Sequence, residues 1–448
     1  MKVYLESLGC AKNRVDSELM LGKLASGRHM VTTDPADAEL IVVNTCSFIE
    51  SAVQESIDTI LELARYKTEG VCRRLVVAGC LPERYRGELA GALPEVDLFL
   101  GTGALDQIME AVEGAEPARG CRLPDPRSRS NWSSKDPRLV STFPSVYLKI
   151  AEGCSRRCTY CIIPRLRGPH RSRFMDDLLT ESEQLVAGGA RELVLVAQES
   201  TDYGTDLDPP AELGGLLAHL ASRLPDVWLR VLYGHPASLA ESMIRTMAGH
   251  PNICPYFDLP IQHASDAVLK RMGRGYTRAD LHRLFHRIRT ILPDAVLRTT
   301  VITGFPGETD RDFNILLDFI REIGFDHLGV FTYSDADDLP SHRLPEPVDP
   351  VRAGERRDQL MSLQQEISQR CLKRHLNQQV QVLVEGAGHN KEAYGIWGRT
   401  MGQAPEVDGV TRIHCGSTVD LPAPGQLVTV RVTEVREYDL YGELECRS

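Results

Sequence analysis

Gly153-Cys154-Ser155-Arg156-Arg157-Cys158-Thr159-Tyr160-Cys161 is the stretch on which the reading of this chain turns. Its cysteines have three and then two residues between them, directly after an expected strand at Tyr147–Ile150. A loop of that spacing can turn three thiolates toward one centre. Thiolates are soft ligands that favour Fe–S clusters or zinc. A structural zinc would want a fourth ligand close by. The nearest, His170, stands nine residues on with no partner at a metal-binding spacing. Three cysteines on a four-iron cluster leave one iron open, which suits a site that binds a substrate or cofactor.

Further strands are expected at Glu192–Ala197, Trp228–Leu232, Tyr256–Leu259, Val296–Val301 and Leu328–Thr332. Helices fall between them, among them Leu178–Val186, Leu213–Ser222, Leu239–Ala248, Ala279–Ile291 and Asp312–Glu322. Six βα units suit a parallel barrel, complete or partial. Ahead of the loop, Val3–Leu5, Leu40–Val43, Leu75–Ala78 and Val96–Leu100 read as strands. Asp16–Ala25, Ile49–Arg65, Pro82–Leu93 and Leu105–Val112 read as the helices that follow them. That alternation predicts a wound parallel sheet. Beyond the barrel, Arg352–Leu376 is a charged bridging helix, and Gln381–Glu385 and Leu427–Val435 alternate with period two. The expected fold class is α/β, with a wound-sheet domain over 1–118, a barrel with its bridging helix over 145–376 and a small all-β module over 377–448. Residues 119–144, rich in Pro, Ser and Arg, read as a solvated linker.

At 448 residues the chain is long enough for about three cores. With 51 Lys+Arg against 62 Asp+Glu, its net charge of −11 argues against a protein that coats nucleic acid nonspecifically. The N-terminus lacks an apolar signal stretch, and no run of about 18 apolar residues occurs to span a bilayer. A cytoplasmic protein is expected. That compartment keeps thiols reduced, so the twelve cysteines call for metal or redox chemistry rather than disulfides.

A second cysteine set follows from topology. Cys10, Cys46 and Cys80 each come just after an expected strand, and in a parallel wound sheet those loops emerge at one edge. They can converge although some 35 residues separate neighbours. The plainer reading is three buried cysteines acting as small hydrophobes. Cys72, Cys121, Cys254, Cys371, Cys415 and Cys446 share no spacing and read as structural.

The Cys154 loop and the six βα units resemble the radical S-adenosylmethionine superfamily. With both triads, the chain resembles the methylthiotransferases over nearly its whole length. The resemblance is carried by Ser7–Glu18, Asn44–Ser51, Leu148–Cys154, Ile163–Gly168, Leu195–Gln198, Leu259–Ser265, Arg298–Glu308, Ala404–Gly409 and Glu437–Gly442. It implies an N-terminal domain, a radical S-adenosylmethionine barrel and a TRAM domain, a small antiparallel β-barrel. It implies two [4Fe–4S] clusters: an auxiliary one on Cys10, Cys46 and Cys80, and a radical-generating one on Cys154, Cys158 and Cys161. S-adenosylmethionine would be the cofactor, with a low-potential electron donor. Among family members the segments look most like those that add –SCH3 to the β-carbon of an aspartate in ribosomal protein S twelve. The tRNA-modifying members share the cysteines but look different at Leu195–Gln198, His263–Ala264 and Glu437–Gly442. Arg156-Arg157 inside the cluster loop is a small departure that removes no ligand.

The same resemblance puts Thr303–Glu308, with Gly304 and Gly307, beside the adenosine; a tight βα turn is the plain alternative. Tyr160 is set either to meet the adenine or to pack over the cluster. Gln198, Glu199, Gln262 and His263 are placed at the barrel mouth, and Gln198 is taken as a cofactor contact. Arg165, Arg167, His170, Arg171 and Arg173 could face cofactor or substrate, or be structurally paired. From Gln378 onward ten acids oppose six bases, most densely over Glu434–Glu445. Such a module repels tRNA and would steer toward a basic ribosomal protein. A tRNA adenosine as substrate, and a two-cluster electron carrier, are the competing readings.

Overall fold

The computed structural model describes residues 1–113, 120–129, 131–387, 395–415 and 421–445. Cys446, Asp420, Lys391, Glu392 and Arg447 lie outside them. The first domain is a six-stranded parallel sheet in the order β2-β1-β3-β4-β5-β6. Its strands are β1 (Lys2–Ser7), β2 (Met30–Val31), β3 (Leu40–Thr45), β4 (Arg74–Gly79), β5 (Leu98–Gly101) and β6 (Gly120–Arg122). β3 reads Leu-Ile-Val-Val-Asn-Thr and is buried at every position, as a central parallel strand covered on both faces must be. Helix α1 (Ala11–Ser26) follows β1. The helix expected over Pro82–Leu93 is two short ones, Cys80–Tyr85 and Gly87–Ala92, broken at Arg86 with φ +48°.

The second domain holds two parallel three-stranded sheets. One comprises β7 (Ser145–Lys149), β10 (Glu192–Val196) and β11 (Trp228–Val231); the other β12 (Tyr256–Asp258), β13 (Val296–Thr303) and β14 (His327–Thr332). A bridge between Leu229 and Ile253 links the two into one partial barrel. Between β7 and β10, β8 (Ala151–Glu152) pairs with β9 (Arg171–Ser172) around the cysteine loop. Period-two alternation divides β10. Leu193 and Leu195 pack among the surrounding helices, while Val194 and Val196 share a core with Leu19 of α1 and Ala404 of the C-terminal domain. Helix Pro350–Leu372, capped by Asp349, packs on β14 and leads to that last domain.

The C-terminal barrel closes in the order β15-β16-β17-β19-β18. Its strands are β15 (Gln379–Ala387), β16 (Ile396–Arg399), β17 (Thr411–His414), β18 (Leu427–Val435) and β19 (Leu440–Leu444). It is antiparallel apart from the parallel pair β17 and β19.

This barrel seals the N-terminal ends of the parallel strands. Buried Arg399 donates to Glu192 at 2.5 Å, Glu385 at 2.6 Å and Ser145 at 2.7 Å. Arg230 donates to the other Glu192 oxygen at 2.7 Å and to the Met401 carbonyl at 2.8 Å. The hydroxyls of Tyr147 and Tyr256 donate to Glu406 at 2.8 Å and Asp408 at 2.6 Å. Burial alone would raise the Glu192 carboxyl, but Arg399 and Arg230 hold it down to about 2.

The segment expected as a solvated linker, 119–144, is only partly solvated. Gly120–Arg122 form β6, and Arg129 and Trp132 are buried. Arg129 and Trp132 donate to Asp16 of α1, and Arg138 to Glu18 and Glu181. Arg129 and Arg138 are paired rather than solvated, and Arg138 joins α1 to the second domain, while Arg127 is exposed.

Candidate active site between two cysteine triads

Parallel strands deliver Cys10, Cys46 and Cys80 to one edge. Cys10 precedes α1 as its N-cap, Cys46 follows β3, and Cys80 opens a helix after β4. Gly9 lets two of these turns meet. Its φ is +86°, and a Cβ there would lie 2.6 Å from the Cβ of Cys46. The second triad depends on Gly153 in the same way. Its φ is +81°, and a Cβ would fall 2.1 Å from the Pro169 carbonyl oxygen, so the chain can turn sharply into Cys154.

All six cysteines line one cavity of about 600 Å³. Cys10 is exposed only in the sense that it faces this space. Burial, then Cys80 and Cys10, push the Cys46 thiol up to about 12. Burial raises Cys161 to about 12 as well, with Cys158 and Cys154 adding to the effect. Crowded thiols that resist ionisation individually are the donor set a cationic centre would hold as thiolates. Among the described residues no group of three or more His, Cys, Asp or Glu side chains is arranged to hold a single metal ion. Three thiols in each triad are soft donors of the kind an Fe–S centre takes.

A chain of hydrogen bonds and ion pairs runs from one triad to the other. The Gly153 N–H donates to Gln198 at 2.9 Å, and Gln198 donates to Glu152 at 2.5 Å. Lys149 joins Glu152 at 2.8 Å to Asp16 at 2.6 Å. Arg167 donates to the other Asp16 oxygen at 2.6 Å, to Asn13 at 2.7 Å and toward the Cys80 sulfur at 3.5 Å. Asp16 is fully buried. Its surroundings would raise its carboxyl, yet Lys149, Arg167 and Arg129 hold it far below the usual carboxylate range.

Tyr160 and Gln198 line the cavity, as do Glu199 and Gln262. His263 does not; it is buried beside Glu308 at 3.4 Å. Gly304 and Gly307 also lie outside it. A Cβ on Gly304 would strike Ala353 of the bridging helix, and one on Gly307 would strike Arg271. That turn reaches the cavity lining through Phe305, whose ring meets Tyr160 edge-on at 6.4 Å between centroids. Arg156, half-buried at the cavity, donates to Glu199 and Asp202 at 2.8 Å each. Burial and Asp202 push Glu199 up to about 7, and burial, Arg274 and Arg156 push His235 down to about 2. Of the basic run, Arg165 pairs with Asp338, His170 with Ser172, and Arg173 with Asp177; Arg171 donates to the Pro126 carbonyl. Lys12, Arg167 and Tyr233 are cavity residues whose placement no local spacing signals.

Residues 2–101 match the uncharacterized protein family UPF0004, 148–320 the radical SAM superfamily and 378–444 the TRAM domain. Among solved structures, the cobalamin- and [4Fe–4S]-bound radical S-adenosylmethionine methyltransferase TsrM of Kitasatospora setae aligns with a TM-score of 0.56. It covers 76% of this chain and 77% of its own, at 16% identity, a likeness of fold alone. Fold and matched segments together define a radical S-adenosylmethionine enzyme with a TRAM domain. The ribosomal protein uS12 methylthiotransferase RimO of Desulfosudis oleivorans is 55% identical over 99% of this chain and 100% of its own. Its counterparts in Geobacter sulfurreducens and Clostridioides difficile are 45% and 44% identical, each over 99% of this chain and 98% and 99% of their own. The chain belongs to the RimO family of radical S-adenosylmethionine methylthiotransferases.

Proposed function

We propose that this enzyme attaches a methylthio group to the β-carbon of an aspartate in ribosomal protein uS12. The observation that carries the reading is the opening of both cysteine triads onto one cavity in a chain of this family. On this reading Cys154, Cys158 and Cys161 hold one [4Fe–4S] cluster, and Cys10, Cys46 and Cys80 a second. Bound there, the clusters and S-adenosylmethionine supply a hydrogen-abstracting radical and a sulfur. The protein's part is placement and exclusion of water. Gln198, through Gly153, sets the turn that presents Cys154. Tyr160 and Arg274, 3.3 Å apart, wall the cavity beside Cys158. Gly304 and Gly307 act at one remove, by letting Phe305 support Tyr160.

Exposed Phe48 and Phe331 at the cavity favour a macromolecular loop over a small free substrate. The acidic TRAM surface, with Glu437 exposed, would steer a basic protein toward the enzyme. Two full clusters favour catalysis over simple electron carriage only if a product forms, and that is the test. Protein reconstituted with iron and sulfide is given S-adenosylmethionine, a low-potential reductant and either uS12 or tRNA. Mass spectrometry should find the methylthio group on the uS12 aspartate. Modified nucleoside with untouched uS12 would turn the assignment to tRNA; intact S-adenosylmethionine with full clusters would turn it to a carrier. Among the described residues no helix is long and apolar enough to cross a membrane.

A further inference from the structure

Four cations line the cavity: Lys12, Arg156, Arg167 and Arg274. Three are held by other groups. Arg156 pairs with Glu199 and Asp202, Arg167 with Asp16, and Arg274 donates to the Pro260 carbonyl and the Tyr276 hydroxyl. Lys12 differs. It is 7% exposed, and its ammonium rests over the ring of Tyr233, 3.2 Å from the centroid. Among the described residues it has no ion pair with a carboxylate.

Its position makes that arrangement costly. Lys12 is the second residue of α1, where the helix macrodipole is positive and favours anions. Arg167 adds positive charge nearby, while Cys10 and Tyr233 offset it more strongly. A buried ammonium with neither carboxylate nor favourable dipole is costly unless an anion completes it. The ring of Tyr233 offsets part of that cost and holds the side chain against the barrel wall. Tyr233 itself has φ +63°, unusual for a bulky residue, which turns it into the cavity after β11.

We infer that Lys12 receives the side-chain carboxylate of the substrate aspartate, and so selects an acid over its amide. This deepens the proposed function and rests on it. The carboxylate lies one bond from the carbon that function would modify. A cation on α1, two residues beyond Cys10 and touching the barrel through Tyr233, holds that group where the two triads share one space. The competing role for Lys12 is to offset the negative charge of the Cys10 thiolate, which would act on every substrate alike.

The test measures binding of purified uS12, and of uS12 with its modified aspartate changed to asparagine, to the reconstituted full-length enzyme. Wild type should favour the aspartate form by about 30-fold, the effect of completing a buried charge pair. Lys12→Met should bring the ratio near one, chiefly by weakening the aspartate form, and Lys12→Arg should restore part of it. Iron content, measured on each variant, identifies any that fail to assemble; for a Lys12→Met that fails, Tyr233→Leu takes its place and should lower the ratio by freeing the ammonium. A variant with full iron that keeps the wild-type ratio overturns the inference, as does an equal loss for both forms. Wild type that binds both forms alike overturns the inference alone; wild type that binds neither overturns the underlying substrate reading as well.

Discussion

The two ends of the partial barrel bury charge to opposite purpose. At the N-terminal ends of the strands, Arg399, Arg230 and Glu192 satisfy one another, and Glu406 and Asp408 accept from tyrosines. At the other end six thiols and an ammonium surround an open space of about 600 Å³. One end pairs its charges internally, although the Nη2 of Arg230 and Nε2 of Gln403 are left without a partner; the other is arranged for something to enter. In barrels of this kind chemistry belongs to the loops beyond the C-terminal ends of the strands, and the N-terminal face to stability.

The largest effects test the open end. Changing Cys154, Cys158 and Cys161 to Ala should halve the iron from about eight per chain and abolish S-adenosylmethionine cleavage. Changing Cys10, Cys46 and Cys80 should also halve it, yet cleavage should persist while methylthiolated product disappears. Iron analysis and chromatography of 5′-deoxyadenosine distinguish the two. Cleavage surviving in the first variant would break the contrast at its root.

At the sealed end the expected loss is of stability. Arg399→Met leaves Glu192 and Glu385 without their main partner and should cost about 3 kcal/mol by denaturant titration. Cleavage per folded molecule should stay within about twofold of wild type, since Arg399 is remote from the cavity. A folded variant that has lost cleavage would show that the two ends are coupled.

Acid provides a smaller probe of the same end. Glu192 is held at about 2 against an ordinary value of 4.5. A depressed carboxylate stabilises the fold fully above its unfolded value, and that stability is lost as pH falls toward the folded one. On the order of 3 kcal/mol should therefore disappear between about pH 5 and pH 2. In Glu192→Gln the loss over that window should be visibly shallower, as urea midpoints at stepped pH would record. Identical slopes would place the acid sensitivity elsewhere, Asp16 first.

The smallest effect is on the outer TRAM surface. Glu434 pairs with Arg436 at 2.7 Å, Asp439 accepts from the Val410 N–H at 2.8 Å, and Glu443 pairs with Arg431. These acids are partly neutralised, more than their sequence density suggests. Reversing Glu434, Glu437, Asp439 and Glu443 to Lys should weaken uS12 binding by about threefold at low salt, and less as salt rises.

Cys154, Cys158 and Cys161 could be read directly because their spacing lies within one loop. Cys10, Cys46 and Cys80 became legible only through the strands they follow, since a parallel sheet converts distant positions into neighbours. The strands themselves were legible from apolar runs such as Leu40–Val43. Contacts between domains carried no such signal. Asp16 meets Lys149 and Arg167, and Arg399 meets Glu192, across more than a hundred residues of chain. The arginines of 119–144 misled because composition cannot tell a solvated charge from a paired one. Two-residue β2 and three-residue β6 are too short to show a period. Lys12 left no such trace: the helix was expected only from Asp16, and its start at Ala11, which puts a cation in the first turn, is seen only in the structure.

Three successive stretches match three separate family descriptions, which invites the view of the enzyme as exchangeable parts. Helix α1 argues otherwise. Its N-cap is Cys10 and its first turn carries Lys12, and a turn further on Asp16 and Glu18 hold Lys149, Arg167 and Arg138 of the neighbouring segments. A barrel grafted to another N-terminal sheet would inherit these cations without their acids. An engineered hybrid must therefore cut the chain elsewhere, carrying α1 with the barrel, or bring its own carboxylates to the junction.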